Sequence, residues 1–274
     1  MRYSTQTDDT GKPIPLYDAD GFEGMRKAGA LGAATLDFIG DYIKPGVTTQ
    51  ELDQLLEQFQ RDGGGVPATI GYHGYPAASC ISVNHVVCHG IPSEKKRLKK
   101  GDILNIDVTP IVDGYYGDNS RMYVVGEPSV LAKRLIDATY EAMMAAIATV
   151  KPGSKLSDIG RAIEQVAKRE GFSVVRDFCG HGVGKVFHDA PQVLHYVRKD
   201  SKEITLEPGM IFTIEPMINT GRFEVKVLPD GWTAVTKDHS LSAQFEHSIG
   251  VTEDGVEIFT LSAEEKAERA AIAS

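Results

Sequence analysis

Residues 101–126 of this 274-residue chain read GDILNIDVTPIVDGYYGDNSRMYVVG, and the rest of the chain is interpreted around this stretch. It contains two apolar, β-branched runs, Ile103–Val108 and 121–125, with an Asp-Gly turn signal at 113–114 between them. Apolar runs joined by such a turn predict a β-hairpin or a short β-meander. The stretch therefore predicts the central strands of a sheet.

Two acids interrupt this apolar stretch. Asp107 lies between Ile106 and Val108, and Asp118 follows eleven residues later. Residues far apart in sequence lie side by side when their strands are neighbours. Two carboxylates in an apolar setting repel each other and are costly to desolvate, and a cation between them removes both costs. The pair therefore indicates a metal site, although a turn role for Asp118 and a solvated strand end at Asp107 would explain the same residues.

The composition excludes several broad classes of protein. A formal net charge of -9 argues against nucleic-acid binding, and we interpret the one dense basic run, at 95–100, as a solvated loop, with ribosome or RNA contact as the lesser alternative. No apolar run of about 18 residues is present, so no membrane span is expected. The polar N-terminus lacks the apolar core of a signal peptide, which predicts a cytoplasmic protein. Three cysteines, Cys80, Cys88 and Cys179, at no zinc-finger spacing indicate reduced thiols.

The same order of elements occurs twice along the chain. Each half has a helix, a Lys-Pro-Gly stop, a second helix, a glycine stop and then strands. The Lys-Pro-Gly triplets begin at residues 44 and 151, an offset of 107, and the Leu-x-x-Gly segments begin at residues 98 and 206, an offset of 108. This near-constant offset indicates a duplicated helix–helix–strand unit. Each unit alone has too few strands for a stable sheet, so the halves are expected to share one sheet and one core.

The repeat also sets the expected domain organisation. Residues 1–20 are expected to be an extended N-terminal arm. Residues 21–262 are expected to form a single catalytic domain, with halves of about 21–126 and 127–262. Residues 263–274 are expected to be a short C-terminal tail.

The duplication places a second acid in the position of Asp107. Glu215 ends an apolar β run in the second half, as Asp107 does in the first. If the halves face each other across a pseudo-twofold axis, these two carboxylates meet near that axis. A structural accident would not need an acid in both copies, so the repeat strengthens the metal interpretation.

Two later segments supply further candidate ligands. His181 lies among the glycines of CGHGVG, residues 179–184, where glycine permits tight turns and close backbone approach. A phosphate-binding loop is the competing interpretation, but the strand–GxxxxGK[ST]–helix context is missing. Glu246 lies in a predicted late strand, 241–251, where a lone glutamate is more often exposed. Four carboxylates with one imidazole favour Mn, Fe or Co, and two ions about 3.5–4 Å apart fit this charge better than one.

Two histidines leave alternatives open. Cys88 directly precedes His89, which suggests a thiol nucleophile with a histidine base. Neighbouring strand residues point to opposite faces, so this pair is not expected to cooperate, and we interpret Cys88 as a small buried residue. His188 belongs either to the same site as His181 or to a surface loop.

At this set of residues the chain resembles the bacterial type I methionine aminopeptidases, within the pita-bread group of metallopeptidases. The resemblance implies an α+β fold with two pseudo-symmetric helix–helix–strand halves, which share an antiparallel sheet with helices on its outer face. It covers about residues 22–260. The matching segments are GYHGYP at 71–76, VVCHGIP at 86–92, NIDVT with GDNSRM, CGHGVGKVFHDAP at 179–191, GMIFTIEP at 209–216 and DGWTAVTKDHSLSAQFEH at 230–247.

The resemblance also implies a role for individual residues. The implied metal ligands are Asp107, Asp118, His181, Glu215 and Glu246. The implied catalytic residues are His89, His188 and Glu215, and the two histidines also contact the substrate. The implied lining of the methionine pocket is Thr69, Tyr72, Tyr75, Cys80, Phe187 and Trp232. The positions that match a monovalent-cation site are Asn84, Val86 and Ser242.

The implied reaction removes the initiator methionine from nascent proteins with a small second residue, through attack of a hydroxide that bridges two divalent ions. Co, Mn or Fe are the expected ions, with Zn as a further option. Glu215 is the expected general base, and His188 is expected to stabilise the oxygen of the tetrahedral intermediate. The implied partner is the N-terminus of nascent polypeptides, with the ribosome as a candidate location. We expect a monomer that binds no specific nucleic acid and no membrane.

Two positions depart from the family pattern. His85 stands where many relatives carry an acid, and Thr69 stands where some carry cysteine, but neither is an implied metal ligand. Two other functions remain open. An Xaa-Pro aminopeptidase-like hydrolase resembles the second half but usually carries an extra N-terminal domain, for which we expect no room here. A non-catalytic, partner-binding relative would be marked by lost ligands, and all five are present.

Overall fold

Five α-helices and nineteen short strands make up the computed structural model of the protein, which describes residues 1–273. The helices are α1 (Ala19–Ile39), α2 (Thr49–Asp62), α3 (Val130–Ile147), α4 (Ser157–Glu170) and α5 (Ala263–Ala273). The strands of the first half are β1 (Arg2–Thr7), β2 (Pro13–Leu16), β3 (Val66–Pro67), β4 (Cys80–Val83), β5 (Val86–Cys88), β6 (Ile103–Val108), β7 (Pro110–Val112), β8 (Tyr115–Tyr116) and β9 (Asn119–Val124). Those of the second half are β10 (Ser173–Val174), β11 (Gly180–Gly182), β12 (Asp189–Val193), β13 (Ile211–Ile214), β14 (Met217–Asn219), β15 (Val225–Val227), β16 (Ala234–Thr236), β17 (Ser242–Gln244), β18 (His247–Val251) and β19 (Val256–Ile258). This mixture of helices and antiparallel strands confirms the predicted α+β class.

Residues 101–126 form the predicted β-meander. Strand β6 pairs with β9 over its full length, and the small hairpin β7–β8 is inserted between them. Asp113 and Gly114 form its turn, with φ values of 50° and 80°. A two-residue turn with positive φ at both positions matches the twist of an antiparallel hairpin, which is why Asp-Gly is favoured there.

The duplicated unit is visible in the backbone hydrogen bonds. Gly46 N donates to Leu98 O at 2.8 Å in the first half, and Gly153 N donates to Leu206 O at 2.9 Å in the second. Each leucine N–H returns a bond to the carbonyl of the residue after the glycine, at 2.8 Å in both halves. Each Lys-Pro-Gly stop is therefore tied to the segment that leads into an acidic strand. The predicted repeat is confirmed.

Two helices cover the strands of each half. In the first half, α1 and α2 bury Leu36 and Leu56 in one apolar cluster with Ile106 of β6. In the second half, α3 lies against β13, β14 and β17, and α4 lies against β10 and β12. Removal of this apolar surface from water is the main force that holds the helices on the sheets. The helices occupy the outer faces, as the pita-bread architecture requires.

The sheets of the two halves join at the centre of the molecule. Ser120 and Glu246 form an isolated antiparallel bridge, with N···O distances of 3.0 and 3.4 Å. Ser248 Oγ donates to the carbonyl oxygen of Asp118 at 2.7 Å. Strand β5 of the first half also pairs with β16 of the second. These contacts continue the antiparallel sheet across both halves and bring the acidic strand ends together.

One predicted strand is interrupted in the structure. The late strand predicted over 241–251 is split into β17 and β18, with Glu246 between them. Glu246 uses both backbone groups to bridge to Ser120 in the other half, so it cannot continue a ladder within its own half. At this break in the strand, Glu246 contacts the other half of the molecule.

The chain ends contain regular structure that composition did not predict. Residues expected to form an extended arm fold into the antiparallel hairpin β1–β2. The expected tail, 263–274, forms helix α5 over its described part, and Ser274 lies outside the described residues. This helix begins at a capping box, because Glu265 N donates to Ser262 Oγ at 3.0 Å and Ser262 N donates to Glu265 Oε2 at 2.7 Å. Within residues 1–273, none of the helices has the length and apolar character needed to cross a membrane.

Candidate active site and metal centre

A cavity of about 400 Å³ lies where the two halves meet. Residues from both halves line it, and all thirteen residues predicted as metal ligands, catalytic groups or substrate contacts are among them. They are Thr69, Tyr72, Tyr75, Cys80, His89, Asp107, Asp118, His181, Phe187, His188, Glu215, Trp232 and Glu246. The fold therefore brings the whole predicted set to one place.

The two repeated acids occupy equivalent strand ends at this cavity. Asp107 lies near the end of β6, in register with Ser120 of β9. Glu215 directly follows β13, and the adjacent strand β18 begins directly after Glu246. The bridge between Ser120 and Glu246 then joins the two strand pairs. The carboxylates of both halves consequently face one another across the junction.

Glycine on either side of His181 fixes the position of its strand. A Cβ added at Gly180 would lie 2.4 Å from Thr213 O, and one added at Gly182 would lie 2.0 Å from Ala190 O. Side chains at these positions would push β11 away from β13 and β12. The Gly-His-Gly sequence lets β11 lie between its two neighbours and places the imidazole at the junction.

Hydrogen bonds fix the orientation of the His181 imidazole. Its Nδ1 lies 3.1 Å from Gly182 O, which makes Nδ1 the protonated nitrogen and leaves a lone pair on Nε2. Nε2 lies 3.4 Å from Asp118 Oδ2 and 3.5 Å from Glu215 Oε1. Thr213 Oγ accepts from His181 N at 3.1 Å and donates to Glu215 Oε1 at 2.9 Å. One threonine therefore fixes two of the predicted ligands.

The buried charges at the junction fit divalent cations. One ligating atom from each of Asp118, His181 and Glu246 lies within 4.8 Å of the other two. Asp107 Oδ1 is buried and has no hydrogen-bond partner among the described residues. A buried carboxylate oxygen without a partner is costly, and a cation supplies the missing interaction. The cavity lining offers four carboxylates and one imidazole, oxygen and nitrogen donors of the kind that divalent cations bind.

Burial and the closeness of the carboxylates to one another shift the pKa values of these side chains. Burial raises the pKa of Asp107 and Glu246 well above the usual range, and the neighbouring carboxylates raise both further. Burial also raises the pKa of Glu215 to about 7, although His181 opposes the rise. Burial alone would lower the pKa of His181, but Asp118 and Glu215 outweigh it and raise that pKa. Without cations these side chains hold protons that bound ions would displace.

An aromatic pocket adjoins the ligands. The rings of Tyr75 and Trp232 meet edge to face with centroids 5.1 Å apart. The Tyr75 hydroxyl lies 3.0 Å from Ser79 O and 3.1 Å from Gly90 O, so the polar atom of the ring is bonded to the backbone. Cys80 packs in the same apolar cluster. The pocket therefore offers apolar walls that suit a flexible, uncharged side chain.

His188 belongs to the site and lies at its mouth. The Tyr72 hydroxyl is 2.8 Å from His188 Nδ1, and the two rings stack. The His181 and His188 rings are 4.2 Å apart. Partial burial, and then the adjacent His181, lower the pKa of His188, which keeps its imidazole neutral at pH 7. His188 is exposed and lies in a loop, as the alternative held, but it also lines the cavity.

Cys88 and His89 do not point to opposite faces, contrary to the prediction. Both residues line the cavity, so strand alternation does not separate them. His89 follows the end of β5 and has a φ of 55°, which breaks the alternation. Cys88 is buried as expected, and burial raises the pKa of its thiol well above the usual range. Because the thiolate is the nucleophile, a thiol kept neutral argues against this mechanism.

The sequence did not single out three side chains that contact the predicted ligands. Thr109 Oγ donates to Asp118 Oδ1 at 2.7 Å, and Gln244 Nε2 lies 3.3 Å from Glu215 Oε2. Thr109, Thr213 and Gln244 each lie two residues from a predicted ligand in the sequence. Residues two apart on a strand point to the same face, so polar residues at such positions were a usable signal.

The chain matches a known protein family over most of its length. Residues 23–253, which contain all five predicted ligands, match the profile of metallopeptidase family M24. Methionine aminopeptidase A of Synechocystis sp. is 54% identical over 251 residues, which cover 92% of this chain and 99% of that protein. The crystal structure of methionine aminopeptidase from Rickettsia prowazekii has 55% identity and a TM-score of 0.88, and covers 90% of this chain and 100% of its own. The Xaa-Pro dipeptidase from Bacillus anthracis has 26% identity and a TM-score of 0.72, and this chain covers 62% of it.

Proposed function

Because the chain belongs to metallopeptidase family M24, we propose that it is a methionine aminopeptidase, which hydrolyses the peptide bond after the N-terminal methionine of a polypeptide. The observation that carries this proposal is the convergence of acids from both halves with one imidazole, beside an apolar pocket. The relatives at 52–55% identity are named methionine aminopeptidases, whereas the Xaa-Pro dipeptidase is only 26% identical.

The chain depends on divalent metal, and we propose a specific ligand set for two ions. The proposed ions are Co, Mn or Fe, with Zn as a further option. When bound, they supply Lewis acidity, which lowers the pKa of a water molecule and polarises the scissile carbonyl. The residues proposed to hold them are Asp107, Asp118, His181, Glu215 and Glu246. The partnerless Asp107 Oδ1 and the clustered ligating atoms support this assignment.

The chain's own side chains have proposed roles in the proton transfers. Glu215 acts as the general base, and its raised pKa suits proton uptake near neutral pH. If the Tyr72 hydroxyl donates to His188 Nδ1, Nε2–H of the neutral His188 is the donor for the oxygen of the tetrahedral intermediate. His89 contacts the scissile amide nitrogen, and burial, which lowers its pKa, keeps it neutral.

The pocket beside the ligands is proposed to select methionine. Its lining residues are Thr69, Tyr72, Tyr75, Cys80, Phe187 and Trp232. Methionine has a flexible, polarizable thioether that fills irregular apolar space, and the edge-to-face pair of Tyr75 and Trp232 provides an aromatic wall for it. A bulky second residue would clash with His89 and Tyr75, so small second residues are preferred.

We also propose the setting in which the enzyme acts. Its substrates are the N-termini of nascent polypeptides in the cytoplasm, and it acts as a monomer. The lysines of the basic loop at 95–100 are exposed, which supports ribosome contact through that loop. A monovalent cation is proposed near Asn84, Val86 and Ser242, because Ser242 N donates to Asn84 O at 2.9 Å and Ser242 Oγ is buried without a partner among the described residues.

A peptide assay tests the proposed activity. The purified chain is stripped of metal and incubated with Met-Ala-Ser or Ala-Pro-Ala in the presence of Mn, Fe, Co or Zn. We expect release of free methionine only when metal is present. Cleavage of Ala-Pro-Ala instead would favour an Xaa-Pro hydrolase, and no cleavage with any metal would favour a non-catalytic, partner-binding relative.

A further inference from the structure

The N-terminal segment, residues 2–17, lies outside the part of the chain that matches the family profile. It consists of the hairpin β1–β2 and Tyr17, and it packs on the second half of the molecule. Ser4 Oγ donates to Glu207 Oε1 at 2.6 Å, and Gln6 Nε2 donates to Thr205 O at 2.8 Å. The segment is therefore docked on the fold by specific hydrogen bonds.

The segment reaches the loop that carries Phe187 and His188. This loop, residues 183–188, connects β11 to β12 and has no regular secondary structure of its own. On the cavity side, the Tyr72 hydroxyl contacts His188, and Tyr116 N donates to Gly184 O at 2.9 Å. The N-terminal segment adds contacts on the outer side of this loop.

Tyr17 supplies the first of these outer contacts. Its side chain is 7% exposed, and its hydroxyl accepts a hydrogen bond from Lys185 N at 3.0 Å. A Cβ added at Gly184 would lie 2.3 Å from the same hydroxyl, so the tyrosine ring lies directly against the loop backbone. Tyr17 N donates to Gly209 O at 2.7 Å, which ties Tyr17 to the second half.

Lys12 supplies the second outer contact, at the other end of the loop. Its Nζ lies 2.6 Å from Asp189 Oδ1, and the Asp189 side chain is only 11% exposed. The same carboxylate oxygen accepts from Ala190 N at 2.8 Å. Asp189 directly follows His188 in the sequence. Lys12 and Tyr17 therefore hold the two ends of the loop from the same external segment.

We propose that the N-terminal segment positions the His188 loop for catalysis, with Tyr17 and Lys12 as its positioning residues. This inference rests on the proposed function, because it assigns a use to the placement of His188. The two residues act through the loop backbone and through Asp189, and they do not touch the substrate themselves. Loss of either contact is expected to affect turnover more than substrate binding or metal content.

The test compares Tyr17→Phe and Lys12→Met with wild type in the metal-loaded enzyme, at a temperature where all are folded. Tyr17→Phe removes the acceptor of Lys185 N–H, and kcat for Met-Ala-Ser should fall about tenfold with little change in KM. Lys12→Met should lower kcat about threefold, as expected for a partly exposed ion pair, and Lys12→Arg should restore it. Bound metal per chain should be unchanged.

Asp9→Asn is the matched control. Asp9 pairs with Arg198 and accepts from Lys202 N, so its replacement weakens docking of the same hairpin without touching the loop. Hydrogen exchange gives a readout independent of activity, since the Lys185 amide should exchange faster in Tyr17→Phe and at the wild-type rate in Asp9→Asn. The proposal is overturned if Tyr17→Phe retains wild-type kcat and exchange, or if Asp9→Asn lowers kcat as much. If wild type releases no methionine, the proposed function fails, and the exchange comparison still decides whether the segment holds the loop.

Discussion

Glu215 shows how the surrounding structure holds a single carboxylate in place. Thr213 Oγ donates to one of its oxygens, and Gln244 Nε2 lies 3.3 Å from the other. The backbone N–H of Glu215 donates to Nε2 of the fully buried His195 at 3.2 Å. Burial lowers the pKa of His195 to about 3, so its imidazole stays neutral and remains an acceptor. Three neighbours thus fix the orientation of one proposed ligand and base.

Replacement of His188 separates catalysis from metal binding. His188→Ala removes the proposed donor to the developing oxyanion but none of the five proposed ligands. We expect kcat for Met-Ala-Ser to fall about 100-fold or more, with metal content near the wild-type value. His85→Ala, at a histidine outside the cavity, is the control and should retain activity. Loss of bound metal in His188→Ala would make His188 a ligand and contradict its assigned role.

Asp53 gives the fold a pH dependence that is separate from the metal site. This buried carboxylate of α2 accepts from Ser79 Oγ at 2.6 Å and from Ala78 N at 3.1 Å. Burial raises its pKa from an ordinary value of 3.8 to about 6. A raised pKa means that the folded state holds the proton more tightly, so the associated stability is complete below pH 3.8 and is lost as the pH rises through about 6.

Asp53→Asn should remove this dependence, because an amide oxygen can accept the same two hydrogen bonds and does not titrate. The unfolding free energy of wild type relative to Asp53→Asn should decrease between about pH 4 and pH 7, by at most about 3 kcal/mol. Urea unfolding of both proteins across this range measures the difference. A difference that stays constant or increases with pH would contradict the assignment.

At the scale of elements, strand β11 shows why the site tolerates little change. The strand is only three residues long, and it lies between β12 and β13 with the proposed ligand His181 at its centre. The Gly-His-Gly pattern in the sequence predicted a tight approach around His181. The pattern did not show which strands lie beside β11, because pairing between segments about 30 residues apart depends on tertiary packing. Strand alternation likewise failed at Cys88–His89, where the positive φ of His89 ends the strand.

Gly182→Ala tests this close approach. The added Cβ would lie 2.0 Å from the carbonyl oxygen of Ala190, so β11 must move away from β12 and carry His181 with it. We expect the unfolding free energy to fall by about 1–3 kcal/mol and methionine release to decrease. Gly40→Ala is a suitable control, because its added Cβ would meet nothing closer than 3.9 Å. Equal effects of the two substitutions would argue against a special role for the strand contact.

At the scale of the whole molecule, the duplication explains both what was predictable and what was not. The near-constant offset between the Lys-Pro-Gly and Leu-x-x-Gly landmarks predicted two like halves, and their matching hydrogen bonds confirm this. At the junction, the bridge between Ser120 and Glu246 interrupts the predicted late strand. No local pattern predicts a contact between residues so far apart. The hairpin β1–β2 and helix α5 were missed because the repeat does not extend to the chain ends.

The metal site should contribute to the stability of the whole fold. Ions that bind the folded state alone stabilise it by about 2.7 kcal/mol at a concentration 100 times Kd. Chelation should therefore lower the unfolding midpoint, and added Mn should restore it. Asp107→Asn should reduce the increase in the midpoint caused by Mn, whereas Asp53→Asn, which removes none of the proposed ligands, should retain this increase. A midpoint that does not respond to chelation or to Mn would contradict the proposed coupling.

Anomalous diffraction from Mn-loaded crystals tests whether acids from both halves bind a pair of ions. If acids from both halves hold a pair of ions, the anomalous map will contain two peaks about 3.5–4 Å apart, within bonding distance of the five proposed ligands. Asp107 and Glu215, the equivalent residues of the two halves, should both contact metal. Peaks located away from the junction, or a map in which Asp107 and Glu215 contact no ion, would rule out a two-ion site between the halves.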